Sequence, residues 1–275
     1  MNILDGKKLS EQILSELKEK IEKENIDACL AIISVGRNEA SKIYIKNKIN
    51  ACNSVGIKVK TYEFDNIGED ELISLINELN NNDEITGIIL QSPVPSNIDF
   101  KKCCNLIDYK KDVDGFSREN IYRLYMNNEY LVPCTVKGII ELLNHYDINL
   151  SGKNVVIVGR SNIVGRPLAL YLTNKDATVT LAHSKTNDLA SITKNADILI
   201  SAVGKANIIT KDMIKDGSVV IDVGITRMDG KITGDVDFSN VKDKVSFITP
   251  TPGGVGPMTV AMLLKNTIIA WERRD

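Results

Sequence analysis

Ser41, Tyr44 and Lys48 fall three and four residues apart, a spacing that puts all three on one face of a helix. Such a stripe presents a hydrogen-bond donor and a tunable base together. A lysine buried in a cleft loses the hydration of its charge, so its pKa falls and neutral amine becomes available for proton transfer. The plainer reading is also open: most helical lysines are solvated surface charges, and Tyr44 alone would simply pack its ring. Gln91, at the end of the apolar run Ile85–Leu90, offers an amide that can pair with a heterocycle or orient an amine. Farther on, Asp112-Val113-Asp114-Gly115-Phe116 holds two acids in a glycine-limited turn. Bonding to its own backbone suits Asp112 better than Asp114. Only two histidines exist, His145 and His183, which largely excludes a Ser-His-Asp triad or a histidine-rich metal site. Proton transfer would then fall to Lys, Asp, Glu or Tyr.

These groups need elements to hold them. Leu9, Ile13, Leu17 and Ile21 recur every four residues, which predicts an amphipathic helix with Asp5 as its cap. The apolar runs 28–35, 57–64 and 85–90 then alternate with helix-period segments near 41–55 and 69–79. That β-α-β-α-β order implies a parallel sheet, and open parallel sheets bind ligands beyond the carboxyl ends of their strands. The stretches 92–95 and 110–118 break the pattern and read as functional or connecting loops.

A helix-like segment, 136–146, leads into a second series with strand-like runs at 154–158, 178–182, 198–202, 219–223 and 245–248. The expected fold is therefore α/β in two domains, with a cleft between them. Residues 1–142 would form a catalytic domain with a parallel sheet, 143–257 a Rossmann-like dinucleotide-binding domain, and 258–275 a final helix packing back on the first.

Strand 154–158 runs into Gly159-Arg160-Ser161-Asn162-Ile163-Val164-Gly165-Arg166-Pro167. Strand, glycine turn and helix form the first unit of a dinucleotide fold, where bare backbone and the positive helix end meet a pyrophosphate. A glycine turn that serves only helix–strand packing is the competing reading. The next strand ends in His183-Ser184-Lys185-Thr186, where folds specific for NAD usually carry an acid that binds the ribose hydroxyls. Hydroxyls and cations there, with Arg160 in the first turn, favour a 2′-phosphate and hence NADP; a solvated loop is the alternative. The loop 249–257, Thr-Pro-Thr-Pro-Gly-Gly-Val-Gly-Pro, can lay bare backbone against a flat ligand, which makes Pro252 and Gly253 candidate substrate contacts; an ordinary Pro-Gly turn is the alternative.

Composition narrows the classes. In 275 residues, 34 Lys and Arg against 36 Asp and Glu leave a net charge of -2, so no global field draws the protein to nucleic acid or an anionic membrane. The start of the chain shows no basic region followed by an apolar run, and no stretch is long enough to span a bilayer. A cytoplasmic location is expected. Five cysteines, with no C-x-x-C pair, argue against a disulfide framework and a zinc site, so no metal is expected.

Taken in order, Val35-Gly36, Ala40-Ser41, Tyr44-x-x-x-Lys48, Gln91-x-Pro93-x-Pro95, Asp112-Val113-Asp114-Gly115-Phe116, Pro133-Cys134-Thr135, the Gly159–Pro167 turn and Pro252-Gly253-Gly254-Val255-Gly256-Pro257-Met258-Thr259 resemble the methylenetetrahydrofolate dehydrogenase/cyclohydrolase family. The resemblance implies two reactions: hydride transfer from methylenetetrahydrofolate to NADP, then hydrolysis of the methenyl product to formyltetrahydrofolate. By that carry-over Lys48 is the proton-transfer residue, Gln91 holds and tunes it, Tyr44 stacks on or positions the folate, and Asp114 grips the pterin amino groups. Gly159, Arg160, Ser161, Ser184 and the backbone around Ile225 would meet the dinucleotide, and a homodimer is implied. Ser92 stands where the family commonly has Leu, and Val136 where Pro often follows Pro-Cys-Thr. A monofunctional dehydrogenase and a non-catalytic dinucleotide sensor are the other readings; neither needs all four of Tyr44, Lys48, Gln91 and Asp114.

Overall fold

The structure, a computed structural model, describes residues 2–228 and 230–274, with no side chain described for Glu39 or Ala40. The outer ends of the expected domains and the Ala40 side chain of the motif therefore lie outside the described residues. The chain runs β1 (Asn2–Ile3), α1 (Gly6–Glu24), β2 (Cys29–Val35), α2 (Glu39–Val55), β3 (Lys58–Phe64), α3 (Glu69–Asn80) and β4 (Gly87–Leu90). Three helices follow, α4 (Phe100–Leu106), α5 (Arg118–Tyr125) and α6 (Cys134–His145). The second series is β5 (Asn154–Val158), α7 (Gly165–Thr173), β6 (Thr178–Ala182), α8 (Leu189–Thr193), β7 (Ile198–Ser201) and β8 (Val219–Asp222). It closes with β9 (Thr226–Met228), β10 (Lys231–Thr233), α9 (Phe238–Val241), β11 (Phe247–Ile248) and α10 (Val255–Glu272).

Contacts divide the chain into two compact units. One holds residues through Ser10 together with Thr135–Thr259; the other holds Glu11–Cys134 with Val260 onward. Two segments fall differently from the boundaries expected above. The N-terminal residues group with the second half of the chain because β1 pairs in parallel with β11, Asn2 opposite Phe247. The segment after Cys134 does so because α6 meets the start of α10: Thr135 Oγ1 lies 3.2 Å from Thr259 Oγ1, and a side chain at Gly138 would crowd Met258 Cβ. Residues from Val260 belong to the other unit, where Lys20 and Glu272 form an ion pair.

In the unit that contains Glu11–Cys134, the described strands form a parallel sheet ordered β3-β2-β4. Central β2 is a continuous apolar run, buried but for Ser34, as a parallel strand covered on both faces must be. Edge strand β3 is mostly exposed or half-buried. The chain moves from β2 outward to β3 and then crosses to β4 on the opposite side. The sheet's switch point thus lies between the carboxyl ends of β2 and β4, where ligands of such sheets bind.

In the other unit, the described strands form a sheet ordered β1-β11-β8-β7-β5-β6, with parallel pairing throughout. Strands β7 and β8 are buried at every residue. Here the order reverses between β5 and β7, so the binding crevice expected of a doubly wound fold opens past Val158 and Ser201. An antiparallel hairpin, β9–β10, lies outside that sheet. Among the described residues no disulfide forms, no cluster of three or more metal-ligating groups occurs, and no helix is long and apolar enough to cross a membrane.

Candidate active site

Helix α2 begins at the end of β2 and is held at both ends. Asn38 Oδ1 accepts the Ser41 N–H at 3.0 Å, an N-cap that satisfies one of the first-turn donors. Gly56, at φ +93°, closes the helix in a left-handed conformation that costs glycine little. Between the caps, Ser41, Ile45, Cys52 and Val55 form the buried stripe. Lys48 falls on that stripe, three residues past Ile45 and four before Cys52, so a charged side chain occupies a position whose helical spacing belongs to the core. It is half-buried. Tyr44 sits to one side of the stripe with 46 % of its surface exposed, so its ring is open to a ligand and is not packed away.

Lys48 Nζ donates to Gln91 Oε1 at 3.0 Å. Gln91 follows β4, its backbone N–H bonded to Ile33 O of β2 at 2.8 Å, and its Nε2 donates to Ser92 O at 2.8 Å. With its nitrogen committed to a carbonyl, the amide can offer Lys48 only its oxygen. The pair stands at the switch point between β2 and β4. A cavity of about 300 Å³ beside it is lined by Gly36, Ser41, Ile45, Phe64, Gln91 and Pro93, among others. Ser41 is 8 % exposed, and its hydroxyl has no hydrogen-bond partner among the described residues. Tyr44, Lys48 and Asp114 do not line that cavity.

The acidic turn joins the sheet through a parallel bridge between Asp112 and Ile88 of β4. Asp112 is the turn-former. Its Oδ1 accepts the Gly115 N–H (3.1 Å), and its Oδ2 accepts the Ser117 N–H (2.7 Å) and Asn120 Nδ2 (2.9 Å). Burial pushes its carboxyl up, opposed by the bonds from Asn120 and Ser117. Gly115, at φ +74°, leaves no room for a side chain, since a Cβ would press on the Val132–Pro133 peptide at 2.7 Å. Asp114, half-buried, stands outside this network. The turn is clamped a second time by Asn266 of α10, wholly buried, whose Nδ2 donates to Val113 O and Val132 O at 2.9 Å each. Cys134 Sγ donates to the same Val113 carbonyl at 3.2 Å.

In the other unit, the turn after β5 depends on close approach. Gly159 has φ +119°, and a Cβ there would overlap Ala202 O; one on Gly165 would overlap Gly159 O. Packing thus requires both glycines whatever ligand they face. Ser161 Oγ accepts the Val164 and Gly165 N–H groups at 3.2 and 3.5 Å, so this hydroxyl is engaged within the turn that leads into α7. Arg160 is exposed, and its carbonyl accepts Arg166 Nε at 3.3 Å. Ser184 and Lys185 are exposed in a tight loop where the His183 N–H donates to Thr186 Oγ1 (2.8 Å) and the Lys185 N–H to His183 Nδ1 (3.1 Å). Ile225 follows β8 and is 44 % exposed. Gly253, at φ +106°, accepts the Lys7 N–H at 2.8 Å; with Pro252 it belongs to this unit, while Tyr44, Lys48, Gln91 and Asp114 belong to the other.

Sequence reasoning missed Asn266, Asn120 and a buried pair of aspartates, Asp222 and Asp235. The legible signal was polar type at apolar spacing: Asn266 lies among Met262, Leu263, Leu264 and Ile268, all buried.

Residues 4–114 match the catalytic domain of tetrahydrofolate dehydrogenase/cyclohydrolase, and residues 133–275 match its NAD(P)-binding domain. A bifunctional protein FolD of Campylobacter hominis is 50 % identical over 279 residues, covering 100 % of this chain and 98 % of that one. The crystal structure of the bifunctional methylenetetrahydrofolate dehydrogenase/cyclohydrolase from Campylobacter jejuni superposes with a TM-score of 0.98 at 48 % identity, covering 100 % of both chains. The Trypanosoma brucei enzyme, solved with NADP cofactor and inhibitor, gives 0.93 at 34 % identity over 98 % of this chain and 97 % of that one. With both of its halves matched in order and half its residues identical to a full-length relative, the chain belongs to the tetrahydrofolate dehydrogenase/cyclohydrolase family.

Proposed function

We infer that the protein oxidises methylenetetrahydrofolate to methenyltetrahydrofolate with NADP and hydrolyses that product to formyltetrahydrofolate. The observation that carries the reading is the 3.0 Å bond from Lys48 Nζ to Gln91 Oε1 at the switch point of the β3-β2-β4 sheet. Hydride transfer needs aligned carbons and no titrating side chain. Hydrolysis needs a proton taken from water as it attacks the methenyl carbon and a proton delivered to the ring nitrogen as the carbon–nitrogen bond breaks. Lys48 is the group assigned to both proton movements. Gln91 fixes where the amine points, because its oxygen alone faces Lys48. Tyr44, exposed one turn before Lys48, presents its ring to the folate. Asp114 receives the pterin N–H groups; Asp112, Gly115 and Asn266 hold its turn without using its carboxylate. A homodimer belongs to the same reading and rests on the family resemblance, and the expected cytoplasmic location goes with it.

Supplying methenyltetrahydrofolate without any dinucleotide tests the hydrolase half directly. The methenyl chromophore should bleach well above the buffer rate; a monofunctional dehydrogenase would leave it at background.

The NADP assignment rests on Arg160, Ser184 and Lys185, three exposed groups of the β5 and β6 loops that suit a 2′-phosphate. Each charge-assisted bond of this kind stabilises by roughly 1.5–3 kcal/mol when well formed. Arg160→Ala should therefore weaken NADP about tenfold or more while hardly moving NAD, as measured by titration of each cofactor. Equal losses would assign Arg160 to the fold or the pyrophosphate.

A further inference from the structure

Beyond the residues that face a dinucleotide, one buried carboxylate holds the loop on the far side of its crevice. Asp235 is wholly buried and accepts three hydrogen bonds: Ser201 Oγ at 2.8 Å, the Val203 N–H at 2.7 Å and the Lys205 N–H at 2.8 Å. Ser201 ends β7, and 203–205 is the loop that follows it. That loop forms one wall of the crevice at the β5/β7 switch point, and the glycine turn after β5 packs directly on it, since a Cβ at Gly159 would overlap Ala202 O. The backbone reinforces the grip: the Asn207 N–H donates to Gly234 O at 3.1 Å and the Ile209 N–H to Asp235 O at 3.0 Å.

Asp222, at the end of β8, repeats the arrangement in mirror fashion. Its carboxylate accepts the Asp235 and Val236 N–H groups at 2.9 and 3.0 Å, and its own N–H donates to Thr249 Oγ1 at 2.7 Å. The two carboxylates interlock through missing side chains. A Cβ on Gly224 would overlap the Asp235 carboxylate, and one on Gly234 the Asp222 carboxylate. Gly224 immediately precedes Ile225. Burial pushes the Asp222 carboxyl up to about 6, against the pull of its N–H partners.

We propose that Asp235, seated on Asp222, is a positioning residue for the dinucleotide: it fixes the Val203–Lys205 wall of the crevice and the Gly224–Ile225 backbone in the geometry that receives the cofactor. Burying a charge is costly unless donors surround it. Three donors converging on one carboxylate make a rigid acceptor that water or an amide cannot reproduce. The proposal rests on the NADP-binding reading above and adds to it a residue that does not touch the cofactor.

Asp235→Asn keeps the shape but turns one acceptor into a donor facing the Val203 or Lys205 N–H. Direct titration with NADP should show its Kd raised about tenfold, the cost of one lost bond to a charged group. The KM for NADP should rise with it, while kcat at saturating NADP and the KM for methylenetetrahydrofolate stay within about twofold. Ser201→Ala, which deletes one donor and keeps the Asp235 side chain itself, should give a smaller rise of a few fold and keeps the question answerable where the Asn variant fails to fold. A purely structural role would lower the melting temperature of both variants and leave the Kd of the folded protein within twofold of the parent, which overturns the proposal. The parent is titrated in parallel: a parent that binds no NADP overturns the dinucleotide reading itself, whereas normal parent binding with unmoved variants overturns only the role of Asp235.

Discussion

Lys48→Met is expected to bring hydrolysis of methenyltetrahydrofolate to near background while hydride transfer survives in part. Methionine keeps much of the length of the side chain and its packing between Ile45 and Cys52 but removes every proton it could move. A positioned acid/base contributes typically about 10²–10⁴-fold, and its removal should cost hydrolysis that much. In a steady-state assay methenyl product should accumulate, and the Kd for NADP should match the parent. Close to parental hydrolysis by the Met variant would remove Lys48 from the chemistry. The neighbouring thiol does not replace it: burial raises Cys52 to about 12, which leaves it protonated at neutral pH.

The second large effect is expected at Asp114. A carboxylate accepts two pterin N–H bonds at once, whereas an amide accepts one and opposes the other. Asp114→Asn should therefore weaken folate binding about 10- to 100-fold, the equivalent of one or two charge-assisted bonds, and depress both activities through the folate KM. NADP affinity is expected to be unchanged, and so is the fold, because Asp112 and Asn266 hold the turn. Parental folate affinity in this variant, measured by equilibrium titration, would reduce Asp114 to a turn residue.

The parts of the molecule that sequence reveals are those governed by local periodicity. The four-residue repeat of Leu9, Ile13, Leu17 and Ile21 is the buried face of α1, and the Lys8 N–H indeed bonds Asp5 Oδ1 at 2.9 Å. Apolar runs located β2, β3 and β4, and alternation with helices indicated parallel pairing. The Tyr44/Lys48 face could be read because helix geometry alone brings residues three and four apart together. The 3.0 Å contact of Lys48 with Gln91 spans 43 residues, so chain order and strand crossover, not spacing, create it. Sequence gave no sign that two residues at the start of the chain join the far sheet, since a two-residue strand carries no period and its partner lies 245 residues away. Nothing in the sequence analysis singled out Asp222 or Asp235; only their burial and the glycines that make room for them reveal a lock. Gly159 and Gly165 were legible as a turn that either cradles a phosphate or serves packing, and the structure shows that packing requires both.

The central claim, two consecutive reactions on one chain, is tested most directly by following both chromophores in a single solution of the protein, methylenetetrahydrofolate and NADP. Reduced nicotinamide should rise from the first moments, with the methenyl absorbance passing through a small maximum and falling away as formyltetrahydrofolate forms; with NAD in place of NADP the whole course should slow. Reduced nicotinamide matched by a methenyl signal that rises in equal amount and decays only at the buffer rate would contradict the account and leave a dehydrogenase alone.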